Sequence, residues 1–353
     1  MTSFQQLHQP TNRTLDIDQK EYLFFGGTSY LGLLVNEGYQ LLVKEGIDRY
    51  GLNNGTSRSN NVQLGIYDEA ESVLASRFGF ADAALFSSGY LAAQATIHTF
   101  AHDGEVYYAP GAHPALWISG NPVVLADDFQ DWLHKVVLAI NSSTKSNFVL
   151  IANAIDNLKP ELYDFSYLSN IDSSKKVLLL IDDSHGLGIA KKNAPSSELG
   201  GIINMDNIEI VVIASLAKGL GTDAGVVLGT NALVTRVRQS AIFRGASPSS
   251  PAFIYALIKS EAIYQQAFTK LHDNINFFTQ NLPPQSGLVF APLFPVFTSN
   301  DTQLYAYLCK NNLLISSFPY PLPTSRLLNR VVISALHTQQ DILKLTNLLQ
   351  LKA

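Results

Sequence analysis

Cysteine and charge are both scarce in this chain. Of its 353 residues one is cysteine, two are tryptophan, two are methionine and 15% are charged. A lone thiol, Cys309, excludes an internal disulfide and any metal centre built on several cysteines, and it suits a reducing compartment. It reads as a core filler. A basic excess is also missing: the formal net charge is −5, so the clustered Lys and Arg that neutralise phosphates are not there, and nucleic acid is not an expected partner. Long apolar runs are absent as well. Stretches such as 177–181 and 210–214 are far shorter than the roughly 20 residues that cross a bilayer, and residues 1–12 lack the basic-then-apolar order of a secretory signal. The expectation is a cytoplasmic protein with no membrane partner and no metal.

What is abundant is apolar volume. Hydrophobic residues make up 46% of the sequence, and the length predicts about two domains, a large α/β unit and a smaller one. The middle of the chain alternates short β-rich runs with helix-like stretches, the pattern of a mostly parallel sheet covered by helices on both faces. The runs 83–86, 148–152, 177–181, 208–214 and 225–228 are continuously apolar, as strands buried on both faces must be. Polar residues close several of them. In open α/β sheets ligands gather at the carboxyl ends of strands, so Ser87-Ser88-Gly89, Asp182-Asp183-Ser184-His185 and Ser215 to Lys218 are expected to converge on one crevice. Helical spacing of Ile66, Ala70, Val73, Leu74 and Phe78 predicts a helix over 66–78 that Gly79 stops. A strand over 331–335, then a helix opened by the capping pair Thr338 and Asp341, closes a smaller α+β domain. The Pro- and Ser-rich stretch 247–251 marks the boundary. The predicted organisation is therefore 1–50, an N-terminal arm and part of the small domain; 51–246, the large domain; and 247–353, the C-terminal small domain.

Lys218 sits among small residues in Ser215-Leu216-Ala217-Lys218-Gly219-Leu220-Gly221, where a flat cofactor could approach its amine. A lysine forms an imine only where burial or nearby cations take its proton. Asp182, at the mouth of a buried strand, needs a partner to justify its desolvation, and a pyridinium N–H is one; His185, three residues on, can turn to the same ring or orient Asp182. Ser88, Gly89 and Tyr90 lie between a strand and a helical stretch, where free backbone N–H groups hold a phosphate. Ser215 offers a second hydroxyl. The plain alternatives are a surface lysine in a glycine-rich loop, a helix cap with an incidental histidine, and a simple cap by Ser88. His113 could lie flat on a cofactor face. Arg330, whose guanidinium offers two parallel N–H bonds, is the candidate for a substrate carboxylate, with Arg13 and Arg58 competing.

Taken together, these segments resemble the α-oxoamine synthases of the type I fold of pyridoxal-5′-phosphate (PLP) enzymes, the group of 8-amino-7-oxononanoate synthase, 2-amino-3-ketobutyrate CoA ligase and serine palmitoyltransferase. Tyr30-Leu31-Gly32-Leu33, Tyr50-Gly51 with Thr56-Ser57-Arg58, and Phe86-Ser87-Ser88-Gly89-Tyr90 occur in the family's order. The ring-stacking His corresponds to His113, the Asp-x-x-His to Asp182 and His185, the Thr-x-x-Lys to Ser215 and Lys218, and the late substrate Arg to Arg330. The likeness spans roughly residues 25 to 350. It implies Lys218 as the Schiff-base residue, Tyr30 and Arg13 beside Arg330 at the substrate, and an amino acid with an acyl-CoA or acyl-ACP as substrates. It further implies a homodimer with shared active sites, to which Ser247 or Ser249 contributes from the neighbour. The subtype expected is 8-amino-7-oxononanoate synthase, using L-alanine and a pimeloyl thioester. Departures from the family pattern fall at Thr28, Tyr67, Ala93, Asn153 and Asn157, around the substrate and ring oxygen rather than the covalent anchor. Rival readings are an aminotransferase using the same Lys, Asp and Arg; an NAD-binding dehydrogenase, from Gly186-Leu187-Gly188 and Gly219-Leu220-Gly221, neither of which continues into a full G-x-G-x-x-G; and a non-catalytic binding subunit.

Overall fold

The structure, a computed structural model, describes residues 4–156, 158–319 and 323–352; Asn157 lies outside the described residues. After a hairpin of β1 (Thr14–Ile17) and β2 (Lys20–Phe25), helices α1 (Glu37–Tyr50) and α2 (Ile66–Phe78) lead into β3 (Asp82–Phe86), α3 (Gly89–Phe100), β4 (Glu105–Tyr108), α4 (Phe129–Ser142) and β5 (Asn147–Asn153). A short hairpin, β6 (Ile155–Asp156) and β7 (Glu161–Leu162), precedes β8 (Lys176–Asp182), β9 (Ile208–Ser215) and β10 (Gly225–Gly229). Four helices follow: α5 (Asn231–Arg238), α6 (Ala241–Gly245), α7 (Pro251–Lys259) and α8 (Glu261–Asn281). The chain ends with β11 (Val289–Phe290), β12 (Val296–Ser299), α9 (Leu304–Lys310), β13 (Leu313–Pro319), β14 (Leu327–Val332) and α10 (Gln339–Lys352).

The central sheet has the order β3-β10-β9-β8-β5-β4. β9, β8, β5 and β4 pair in parallel, and β10 runs antiparallel to both of its neighbours. Side chains alternate faces along each strand, and here both faces are apolar. Val177, Leu179 and Ile181 enter one core, with Phe148, Leu150, Val212 and Ala214; Leu178 and Leu180 enter the other, with Val149, Ile151, Val211 and Ile213. The alanine-rich side of α3 (Ala92, Ala93, Ala95) and Leu233, Val234 and Val237 of α5 cover the second face, while α2, α4 and α7 cover the first. Polarity returns only at the strand ends, at Asn153, Asp182 and Ser215, because there the sheet meets a crevice.

A second sheet, β1-β2-β13-β14-β12-β11, draws its strands from both ends of the chain. The hairpin β1–β2 was not expected from sequence. Its two-residue turn places Asp18 and Gln19 at φ 51° and 60°, a conformation usually marked by Asn-Gly. Parallel pairing of β2 with β13 then attaches the arm to the C-terminal unit. The late strand is also displaced from its expected position: it covers Leu327–Val332 rather than 331–335, which puts Arg330 inside the sheet, paired with Thr298 and Ser316. Beyond it the backbone turns away, because Ser334 N donates to its neighbour His337 Nδ1 and Ala335 N donates to Tyr30 O. The capping pair forms as read: Asp341 N donates to Thr338 Oγ1 and Thr338 N to Asp341 Oδ2. Among the described residues no helix is long and apolar enough to cross a membrane.

Because a side chain at positive φ costs roughly 1–2 kcal/mol, Gln19→Gly is expected to raise the unfolding free energy by about 1 kcal/mol, less glycine's own entropy cost. Chemical denaturation followed by circular dichroism measures this.

Candidate active site

The carboxyl ends of β5, β8 and β9, together with the turn after β3, surround a cavity of about 220 Å³. Ser88, Gly89, Tyr90, His113, Asn153, Asp182, His185, Ser215 and Lys218 all line it. Strand register brings them together: Asn153 pairs with Asp182 across β5 and β8, and Asp182 with Ile213 across β8 and β9.

The turn at Ser88 is held by backbone packing. Ser88 Oγ accepts from Leu91 N and so caps α3, the plain role weighed from sequence, while the adjoining Gly89 opens the helix at the cavity. A methyl group on Gly89 would lie 2.5 Å from Ser215 Cβ and 2.7 Å from Ser215 Cα, and one on Gly225 would lie 2.2 Å from Ser88 O. The Ser88 turn is thus seated against β9 and β10 with no room between. Ser184 Oγ accepts from Ser215 N at 2.9 Å, tying the loop after β8 to the loop that carries Lys218.

Electrostatics follow from this enclosure. Burial lowers the Lys218 amine below its ordinary range; Asp182 opposes this shift and the Arg330 cation adds to it. His113 is also lowered, by burial first, with Asp182 opposing and Lys218 assisting. Its Nδ1 accepts from Ala115 N, and its backbone N donates to Asn153 Oδ1, while Asn153 Nδ2 donates to Gly111 O. Asn153, noted in the sequence as a departure, therefore pins the loop that presents His113. Asp182 Oδ1 accepts from Ser184 N, and no ion pair engages the carboxylate among the described residues. Next to it Asp183 is buried and pushed up to about 7, desolvation outweighing its bonds from the Ser196 amide and hydroxyl. It fastens the loop behind the cavity.

Three predicted substrate residues do not line this cavity. Tyr30 is fully buried and does not line the cavity; its hydroxyl lies 2.8 Å from His185 Nδ1. Arg330 is 6% exposed, its Nε has no hydrogen-bond partner, and no carboxylate pairs with it among the described residues. It stacks over Phe318 at 5.4 Å and lies near enough to bias Tyr30, His185 and Lys218. Arg13 is instead committed to Asp341, with both carboxylate oxygens within 3.1 Å of Nη1, so this guanidinium serves the join of the N-terminal arm to α10. Arg58 is likewise engaged by Glu71 and Asp68. Of the other departures, Tyr67 donates to Ser249 O, and Ala93 is buried within α3. The glycines of the dinucleotide reading are used for packing. A methyl on Gly219 would meet Ile189 Cδ1 at 2.3 Å and one on Gly186 would meet Ser196 Oγ at 2.3 Å. Neither Gly186 nor Gly219 opens a helix, as a pyrophosphate-binding turn must. The Tyr30–His185 contact had no signal in the sequence, since 155 residues separate the partners.

No protein-family model matches the chain. Along 97% of its length it is 24% identical to the 8-amino-7-oxononanoate synthase of Thermosipho melanesiensis, covering 90% of that protein. A solved structure of SPT with PLP superimposes with a TM-score of 0.81 at 19% identity, over 98% of this chain and 91% of that one. The 8-amino-7-oxononanoate synthase of Francisella tularensis does so with a TM-score of 0.68 at 18% identity, over 94% and 97%. The chain is thus similar to 8-amino-7-oxononanoate synthases over nearly its whole length and shares the fold of SPT. The donor set suits PLP, which the SPT structure holds: a buried amine lowered in basicity, a carboxylate with no ion pair among the described residues, an imidazole and a helix N-terminus at the cavity wall. Gly89→Ala is expected to force the Ser88 turn off β9 and weaken PLP binding about tenfold or more, within the 1–3 kcal/mol that overpacking costs. Absorbance titration with PLP measures the loss, and circular dichroism checks that the fold is kept.

Proposed function

We propose that this chain is an α-oxoamine synthase, a PLP-dependent acyltransferase that joins a small amino acid to an acyl thioester, with loss of CO₂ and release of the thiol. The reading extends to L-alanine and a pimeloyl thioester, the 8-amino-7-oxononanoate synthase reaction of biotin synthesis. The observation that carries it is the convergence of Lys218, Asp182, His113 and the Ser88 turn on one cavity, with the Arg330 cation near Lys218 and paired with no carboxylate among the described residues.

When bound, PLP supplies an electron sink for a carbanion at the substrate Cα. Lys218 Nζ would hold the cofactor covalently, and its basicity, lowered by burial, suits it to accept a proton from the substrate Cα. Asp182, at the cavity wall, would hold the ring nitrogen and favour a proton there. His113, held in place by Asn153, would cover one face of the ring and keep water from it. Ser88, Gly89 and Ser215 receive the phosphate at the start of α3. Arg330 orients the substrate carboxylate through paired N–H bonds. Specificity for one acyl chain would rest on Tyr90, Ile155 and Leu158 at the cavity wall.

The reading includes a homodimer in the cytoplasm. Exposed Leu41, Leu52 and Val62, on α1 and the loop after it, favour a partner surface. Ser247 is exposed, whereas the Ser249 hydroxyl is donated to Asp223 O, so Ser247 is the serine free to reach a neighbour's phosphate.

Incubation of the PLP-loaded protein with L-alanine and pimeloyl-CoA, with thiol release and CO₂ followed together, is expected to give both products in equal amounts. Keto-acid formation without thiol release would instead identify an aminotransferase. Lys218→Ala is expected to remove the visible band of the lysine-bound cofactor and to lower kcat by about 10³-fold or more. Arg330→Gln is expected to raise KM for the amino acid about 30-fold or more, as loss of one member of a buried charge pair costs upward of about 2 kcal/mol, while leaving the Lys218 band in place.

A further inference from the structure

His185 lines the cavity with Lys218, and among the described residues its side-chain partner is the hydroxyl of Tyr30, 2.8 Å from Nδ1. The phenol is fully buried, and its ring packs against Phe294 with centroids 6.3 Å apart. The buried phenol is pushed up to about 12 by desolvation, with the Arg330 cation opposing, so it keeps its proton at neutral pH. A buried O–H needs an acceptor, and among the described residues His185 Nδ1 is the atom within reach. Were Nδ1 to carry hydrogen instead, two donors would face each other or the phenolic proton would go unpaired, at a cost of about 1–3 kcal/mol for a buried donor. Protonation of both ring nitrogens is disfavoured too: burial and the nearby Lys218, Arg330 and His113 hold His185 well below its ordinary pKa.

We propose that Tyr30 is the positioning residue that fixes His185 as the neutral tautomer protonated at Nε2, so that an N–H is offered to an acceptor in the cavity. This rests on the PLP reading for the identity of that acceptor, the phenolic oxygen of the ring, but the tautomer itself belongs to the chain alone. The same tyrosine is anchored from the other side, since Tyr30 O accepts from Ala335 N just beyond the strand that holds Arg330. Tyr30 therefore joins the segment that carries the substrate-binding cation to the histidine that faces the cofactor.

The test is the ¹⁵N spectrum of imidazole-labelled protein without PLP, with the His185 signal assigned by its loss in His185→Gln. Wild type is expected to show a pyridine-like Nδ1 and a pyrrole-like Nε2, and Tyr30→Phe a mixture of the two tautomers. A pyrrole-like Nδ1 in wild type, or an unchanged His185 spectrum in a folded Tyr30→Phe protein, overturns the proposal. Should Tyr30→Phe fail to fold, incorporation of fluorotyrosine, a stronger O–H donor of almost the same shape, is expected to move the Nδ1 resonance; a stationary resonance overturns the assignment. With PLP added, Tyr30→Phe is expected to shift the pH dependence of the Lys218 visible band, with fluorotyrosine in place of tyrosine retaining the band at neutral pH. A chain that binds no PLP would remove the proposed function and leave the tautomer measurement standing.

Discussion

Hydrogen-bonded register across β5, β8 and β9 determines where each reactive side chain ends up. A slip of one residue in β8 would carry Asp182 to the opposite face of the sheet and set Ile181 in its place, since successive strand residues point to opposite sides. Register itself is enforced by the two cores: with both faces of the strands apolar, a slip leaves no polar residue free of burial and strands the charged ends in hydrocarbon. The cavity is therefore a by-product of core packing. Asn153, Asp182 and Ser215 come together because Ile151, Leu180 and Val211 pair in register beneath them.

On that base, the loops are fixed by a second set of constraints that involve backbone more than side chain. Gly89 and Gly225 let the Ser88 turn touch β9 and β10, Ser184 ties the Asp182 loop to the Lys218 loop, and Asp183 with Ser196 fastens the segment behind them. Rigid loops around a partly enclosed amine have an electrostatic result. The same enclosure that lowers Lys218 also lowers His113 and His185, so the cavity presents few competing cations to an incoming ring.

Much of the central sheet was legible because runs such as 177–181 have no polar interruption, and the strand ends are then defined by the first residue that cannot be buried. The residues on the cavity wall were legible for the same reason. The second sheet was far less so. β1 and β2 turn through Asp18-Gln19 without glycine, and their stability comes from β13, nearly 300 positions downstream by the 313–315 pairing, which no local pattern encodes. Arg13 shows the same difficulty in a side chain: its chemistry fits a substrate carboxylate, and only the folded chain reveals that Asp341 occupies it. Tyr30 was assigned to substrate by motif order, yet its hydroxyl turns to a histidine of the other sheet.

The second sheet has a consequence for synthesis. β2 leaves the ribosome well before its parallel partner β13, which lies nearly 300 residues downstream by the pairing of Leu23 with Leu313. At translation speeds of about 5–20 residues per second, the N-terminal hairpin must wait for on the order of tens of seconds before its open edge is covered. During that interval the large sheet, whose strands lie between residues 82 and 229, can already have formed. The polar edge of the arm, with Lys20 and Glu21 exposed at the start of β2, suits a strand that spends its first moments unpaired, because charged residues on a bare edge discourage pairing with other nascent chains.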